Sequence, residues 1–297
     1  MSTLSEMFIN EDEPITNVVG YLQYMFRSKA KKAIVKCYRG QGDFDWSVAP
    51  SVLRGLKTNA ENNLLLELFS EVPEEFSTDK FMFDKLVRAQ HYSLPTRLVD
   101  VSLNPLVALY FACKNKEQYH NDGCVLTYSF PEERVKFADS DVVSLICNLA
   151  RLSSVEKSNI IQRHRRLKEQ VSDGLITSAQ AADRFRATKE INRLIHFVRE
   201  EKPYFTNNIL PHDLFRYFLV HPKKNNKRVV AQSGLFIAAG LLQYRKLEDS
   251  IVVNKLKIPA ESKLIILDEL NQLNINEKSM FPEVEKVSIY IKSKWEK

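Results

Sequence analysis

From about Asp141 to Glu201 the sequence keeps a helical hydrophobic period with heavily charged intervening positions, while strand-like runs lie on both sides of it. "VVSLICNLARLSSVEKSNIIQRHRRLKEQ" and "AQAADRFRATKEINRLIHFVREEK" are each amphipathic. Upstream, "KAIVKCYR" reads as a buried strand ending at Gly40, "TRLVDVS" as a short strand, and "GCVLTYSF" as a strand after the Asp122-Gly123 turn. Downstream, "KRVVAQSGLFIAAG", "IVVNKLKIP" and "KLIILDEL" read as strand-like. Strands at both ends with helices between them specify an α+β fold with a mixed or antiparallel sheet and a helical insertion. The expected organisation is a single domain over 1–297. It has an N-terminal helix at about 14–30, the insertion at about 141–201, and a C-terminal strand or helix segment at about 250–297. "NPLVALYFACKNK" is a helix opened by Asn104 as N-cap, with Pro105 in its first position.

Composition narrows the class. Hydrophobic residues at 44% and charged residues at 27% describe an ordinary folded protein. No apolar run approaches the ~18 residues that cross a bilayer, and the acidic N-terminus lacks the apolar core of a secretory signal. Cys37, Cys113, Cys124 and Cys147 are scattered without metal-site spacing and read as buried thiols, so a cytoplasmic location is expected. A net charge of +6 permits a nucleic-acid partner without requiring one.

Three stretches carry chemistry. In "KCYRGQGDFDW" an arginine ends the first strand, and two of the chain's 8 glycines follow it. The Arg39 guanidinium can clamp a phosphate or carboxylate with two parallel hydrogen bonds. Gly40 and Gly42 would let a ligand approach the backbone, and Gln41 adds a donor and an acceptor. The competing reading pairs Arg39 with a core carboxylate and gives the glycines to a turn. "AQHYSLPTRLVDVSLNPLVALYFACKN" packs His91, Tyr92, Thr96, Arg97, Asp100 and Ser102 around Pro95. Strand alternation places Thr96, Leu98, Asp100 and Ser102 on one face, with Arg97, Val99 and Val101 on the other. A hydroxyl–carboxylate–hydroxyl face must satisfy itself internally or meet a polar ligand; an Arg97–Asp100 ion pair is the plain alternative. In "NKRVVAQSGLFIAAG", Gln232, Ser233 and Gly234 interrupt an apolar run, as at a bulge or a close approach.

"YRGQ", "AQHYSLPTRLVDVSLNPLVALYFA" and "NKRVVAQSGLFI" resemble the signature segments of the FRG domain family, with the similarity extending over roughly residues 15–290. That family is associated with bacterial and phage-encoded proteins, some in toxin or anti-phage settings. More distantly, the order "CYRGQ", "TRLVDVS", "NPLVALYFA", "GCVLTYSF" is similar to that of ADP-ribosyltransferases. The resemblance implies a split pair of small sheets gripping NAD as co-substrate, with no metal. It implies that Arg39, with Tyr38, Gly40 and Gln41 beside it, binds the NAD phosphates or a ribose hydroxyl. Thr96, Asp100 and Ser102 would line the nicotinamide-ribose side, Arg97 would be among the cofactor-binding residues, His91 would orient a ribose, and Tyr92 or Phe236 would stack on a ring. Those transferases place a glutamate on a late strand, where this chain offers Gln232, leaving Asp100, Glu200 or Glu201 to supply the negative charge. The function so implied is ADP-ribosyl transfer to a nucleic acid or protein, in a toxin or defence setting with an antitoxin or regulatory partner. The basic run Arg163, His164, Arg165, Arg166, Lys168 would present a nucleic-acid acceptor or be a solvated helix face. A non-catalytic module sensing a nucleotide or phage component is the alternative. A metal-dependent nuclease is disfavoured, because no cluster of carboxylates is evident in the sequence.

Overall fold

The computed structural model describes residues 14–27, 34–46, 48–224, 226–241, 251–293 and 295. The chain runs α1 (Val18–Arg27), β1 (Ile34–Gln41), α2 (Ala60–Glu71), α3 (Met82–His91), β2 (Leu98–Ser102), α4 (Pro105–Cys113), β3 (Gly123–Pro131) and β4 (Val135–Phe137). Four helices follow: α5 (Asp141–Asn148), α6 (Ser154–Ser172), α7 (Ser178–Arg186) and α8 (Lys189–Glu201). The last part is β5 (Tyr217–His221), α9 (Lys227–Ala231), β6 (Gly234–Ala239), β7 (Val252–Ile258), α10 (Lys263–Gln272), α11 (Glu277–Met280) and α12 (Val284–Ser293).

The described strands form one sheet in the order β4-β5-β6-β2-β1-β3-β7. Only β4–β5 is parallel, so the α+β class with a mixed sheet holds. Three hydrophobic clusters fix its layers. Tyr38, Val125, Leu256 and Ile258 pack under α4 and α10 on the β1-β3-β7 half. Leu98, Phe218, Val220, Phe236 and Ala238 pack under α3, α5 and α8 on the β2-β6-β5 half. The opposite faces of both halves share a third cluster: Cys37, Leu126, Tyr128 and Phe130 from one half, with Val99, Val101, Leu219 and Ile237 from the other. No helical residue belongs to it. The helical layer is therefore part of the core: Val143 and Ile146 of α5 are fully buried against the sheet.

Local signals explain much of this. Asn104 Oδ1 accepts the amide of Leu106 at 2.9 Å, and Pro105 opens α4. Ser153 and Glu156 form a reciprocal capping box at the start of α6. Two expectations need correction. "KLIILDEL" forms α10, because Lys263, Ile266 and Leu270 are buried at helical spacing while Leu264 and Ile265 face solvent. "KRVVA" forms α9, because the Asn226 side chain accepts the amides of Arg228 and Val229. All four cysteines are free and buried. Among the described residues, no helix is long and apolar enough to cross a membrane.

Candidate functional site

The sheet has a seam. β1 pairs with β3 from Ile34 to Gln41, yet meets β2 through one residue pair, Tyr38 with Ser102. On the Arg39–Gly40 side of that pair β1 and the Asp100–Val101 part of β2 are not paired, which leaves an opening between them. Ser102 Oγ marks the corner, accepting the Asn104 amide at 2.9 Å and donating to Gln232 O at 2.7 Å. The opening holds a cavity of about 160 Å³ bordered by Arg39, Asp100, Ser102, Phe111, Arg228 and Gln232. Asp100, Val101, Arg228 and Gln232 also border a smaller cavity of about 70 Å³. That one shares Val87, His91, Asn226 and Val229 with a third of about 210 Å³ between α3 and α9. Together the three make one groove leading away from the seam.

The groove gathers some of the expected residues. Asp100 is the exposed member of β2; its Oδ2 accepts from Gln90 Nε2 at 2.5 Å. Gln90 is in turn held by the Thr96 hydroxyl, which donates to its Oε1. Thr96 is buried and acts through Gln90 rather than lining the cavity. His91, at the end of α3, borders the second and third cavities, and Tyr92 borders the third, 60% exposed with its ring edge-on to His91. Burial and the nearby Arg228 charge hold the His91 imidazole below its ordinary range, against an opposing pull from Glu283.

Arg39 behaves differently from expectation. Tyr38 and Gly40 on either side of it face α4, so alternation sends Arg39 to the other face of β1, with Cys37. The Asp100 and Ser102 side chains leave β2 on the face of Leu98. The guanidinium therefore reaches the Asp100 main chain, donating from Nη1 to its carbonyl at 2.6 Å, and not the carboxylate. Its Nε–H is buried with no hydrogen-bond partner. Gly40 serves packing: a Cβ there would lie 1.9 Å from Ala108 O and 2.5 Å from Ala112 N, so its bareness admits α4, and it also borders the seam cavity. Gln41 is buried and accepts from Cys124 Sγ at 3.6 Å. Tyr38 packs beneath α4 and also borders the seam cavity.

Arg97 lies outside the groove. It forks onto Glu61, Nε to Oε1 at 2.7 Å and Nη2 to Oε2 at 2.6 Å, and Nη1 donates to Ile146 O and Ala239 O. Lys157 joins Glu61 at 2.6 Å, which locks α2 and α6 to the sheet. Burial alone would raise the Glu61 carboxyl; the Arg97 and Lys157 charges overcome it and hold the group down to about 2. An Arg97–Asp100 pair is thereby excluded. Phe236 is 4% exposed, packs edge-on to Phe83 and borders the smaller cavity beside Asp100. Glu200 pairs with Arg151 at 2.7 Å, and Glu201 accepts the Met82 amide at 2.6 Å. Met82 begins α3, at the opposite end from His91, so neither glutamate reaches the seam. Gln232 sits in the turn between α9 and β6, with Nε2 donating to Met280 O at 2.9 Å.

Three site residues escape the sequence reading. Gln90 lies inside the quoted "AQHY" stretch. Arg228 is delivered by the Asn226 cap, and its guanidinium lies 4.8 Å from the Phe281 ring centroid. Glu283 approaches His91 Nε2 at 3.9 Å from the segment before α12. Among the described residues no three His, Cys, Asp or Glu side chains are grouped to hold a metal ion.

No curated protein and no solved structure matches the chain. A family match covers residues 35–121, from β1 through the turn after α4, a narrower span than the quoted motifs suggest. Arg39, Gln90, His91, Asp100 and Ser102 fall inside it, while Arg228, Gln232 and the helices α5 to α8 lie outside. The family model matched over residues 35–121 is that of the FRG domain.

Proposed function

We propose that the seam groove binds NAD and that the protein cleaves its glycosidic bond, transferring ADP-ribose to a macromolecule. The observation that carries this reading is the single-pair seam between β1 and β2, which opens onto a cavity bordered by a carboxylate and an arginine. Asp100, held by Gln90, is the carboxylate that stabilises positive charge on the ribose as nicotinamide leaves. Arg228 is the cation on the Asp100 side and takes the phosphates. Arg39 fixes the two strands at the seam and supplies a buried N–H that no protein group uses. The exposed side chains of Arg163, Arg165, Arg166 and Lys168 on α6 have no ion-pair partner among the described residues, which favours a nucleic-acid acceptor.

A second reading has its own observation. The late-strand position of the transferases' glutamate is Gln232 here, and its amide is committed to Met280 O. That supports a module that binds a nucleotide in the same groove without turnover, and signals it. Incubating the pure protein with NAD and measuring free nicotinamide, with and without DNA, RNA or lysate, separates the two. Release that depends on an acceptor supports transfer; NAD binding without release in every condition supports sensing, and neither binding nor release defeats both.

A further inference from the structure

On the transfer reading just given, we propose that His91 is the general base that accepts the acceptor's proton, with Glu283 as the residue that positions and stabilises its imidazolium. His91 borders the cavity that contains Asp100 and also the larger one beyond it. It therefore stands between the donor at the seam and the open end of the groove, where an acceptor enters. No other histidine borders these three cavities.

The surroundings suit a base. Arg228 from α9 faces the ring with positive charge, and Arg88 on the same helix is engaged by Asp79 through two hydrogen bonds of 2.6 and 2.9 Å. Glu283 is the opposing negative charge, 3.9 Å from Nε2. That separation is too long for a hydrogen bond to a neutral ring, but it gives an ion pair once the ring gains a proton. Glu283 Oε2 is buried with no hydrogen-bond partner, so the carboxylate has capacity to spare. Its placement is secured from both sides of the groove. Gln232 holds Met280 O, and the Phe281 ring lies near the Arg228 guanidinium, with Lys114 Nζ 4.2 Å from its centroid. Burial and Arg228 hold the imidazole below its ordinary range, which favours the neutral form that accepts a proton.

The step balances without a further reagent. A lone pair on the acceptor's oxygen or nitrogen forms the new bond to ribose C1′. The C1′–N bond breaks, and its electron pair neutralises the nicotinamide ring nitrogen. The acceptor's proton passes to His91 and then to water.

The test measures nicotinamide release and ADP-ribose incorporation separately, for wild type, His91→Gln and Glu283→Gln. The probes are a single-stranded DNA oligonucleotide, total RNA and clarified lysate, from about pH 5 to about pH 9. His91→Gln should lower incorporation by about 100-fold or more at saturating NAD. Glu283→Gln should move the acidic limb of the rate profile to lower pH, and the His91 imidazole should titrate lower by NMR in the same variant. An active wild type with His91→Gln within about threefold of it at every pH overturns the base assignment and leaves the reaction standing. A Glu283→Gln protein whose His91 titrates as in wild type overturns the positioning role. A wild type that releases no nicotinamide overturns the transfer reaction, and the base with it.

Discussion

Replacing Gly40 with alanine tests whether the glycine after Arg39 serves the helix or the ligand. The new Cβ would sit 1.9 Å from Ala108 O, 2.5 Å from Ala112 N and 2.9 Å from Phe111 C, all main-chain atoms of α4. An ordinary carbon–oxygen contact is about 3.3 Å, so α4 must retreat by about 1.4 Å. No side-chain rotation can relieve a clash with backbone. Overpacking of this kind costs about 1–3 kcal/mol, and the rigid partner puts Gly40→Ala at about 3 kcal/mol or above. Unfolding entropy near 2.1 cal/mol/K per residue gives about 0.6 kcal/mol/K for this length, so Tm should fall by about 5 °C. Thermal and urea melts followed by tryptophan fluorescence and circular dichroism would read the change. A variant that melts within about 1 °C of wild type but loses NAD binding would refute the packing argument and restore the ligand-approach role of Gly40.

Glu61→Leu leaves Arg97 and Lys157 as buried like charges and should cost about 3–5 kcal/mol in urea unfolding at neutral pH; a loss under about 1 kcal/mol would contradict the structural role of the cluster. The Glu61 carboxyl sits lower in the folded chain than its ordinary value near 4.5. Its contribution is therefore full above that value and lost as pH falls toward about 2, so the two proteins' midpoints should converge on acidification. Glu201 has the opposite sign: burial raises its carboxyl, outweighing the opposing pull of the Ser144 side chain, the Met82 amide and the Asn148 side chain beside it. Its contribution is full below the unfolded value and lost as pH rises, so Glu201→Gln should stabilise by about 1 kcal/mol at neutral pH, with no gain below about pH 4. A melt showing no neutral-pH gain would count against that assignment.

Elements with local stop and start signals were legible in the sequence. Asn104-Pro105 opens α4, Asp122-Gly123 precedes β3, and Gly40 lies near the end of β1. β5 was missed because Tyr217, Phe218, Leu219 and Val220 are all buried, the even and odd positions in different clusters, which erases the alternation. α10 was misread because Leu264 and Ile265 are exposed apolar residues that fill in the helical period. The site was legible only where one stretch of chain carries it. Asp100, Ser102 and His91 come from a single motif, whereas Arg228 and Gln232 arrive through the β2–β6 register, Ser102 opposite Gly234. Alternation within β2 was read correctly, but the face of Arg39 depended on where α4 packs.

Calorimetric titration of NAD into wild type and Arg228→Ala tests the central claim most directly. The account predicts saturable binding by wild type and a loss of about 10- to 100-fold in affinity for Arg228→Ala, the worth of one charge-assisted contact to phosphate. No heat of binding with wild type, or equal affinities for the two proteins, would contradict it.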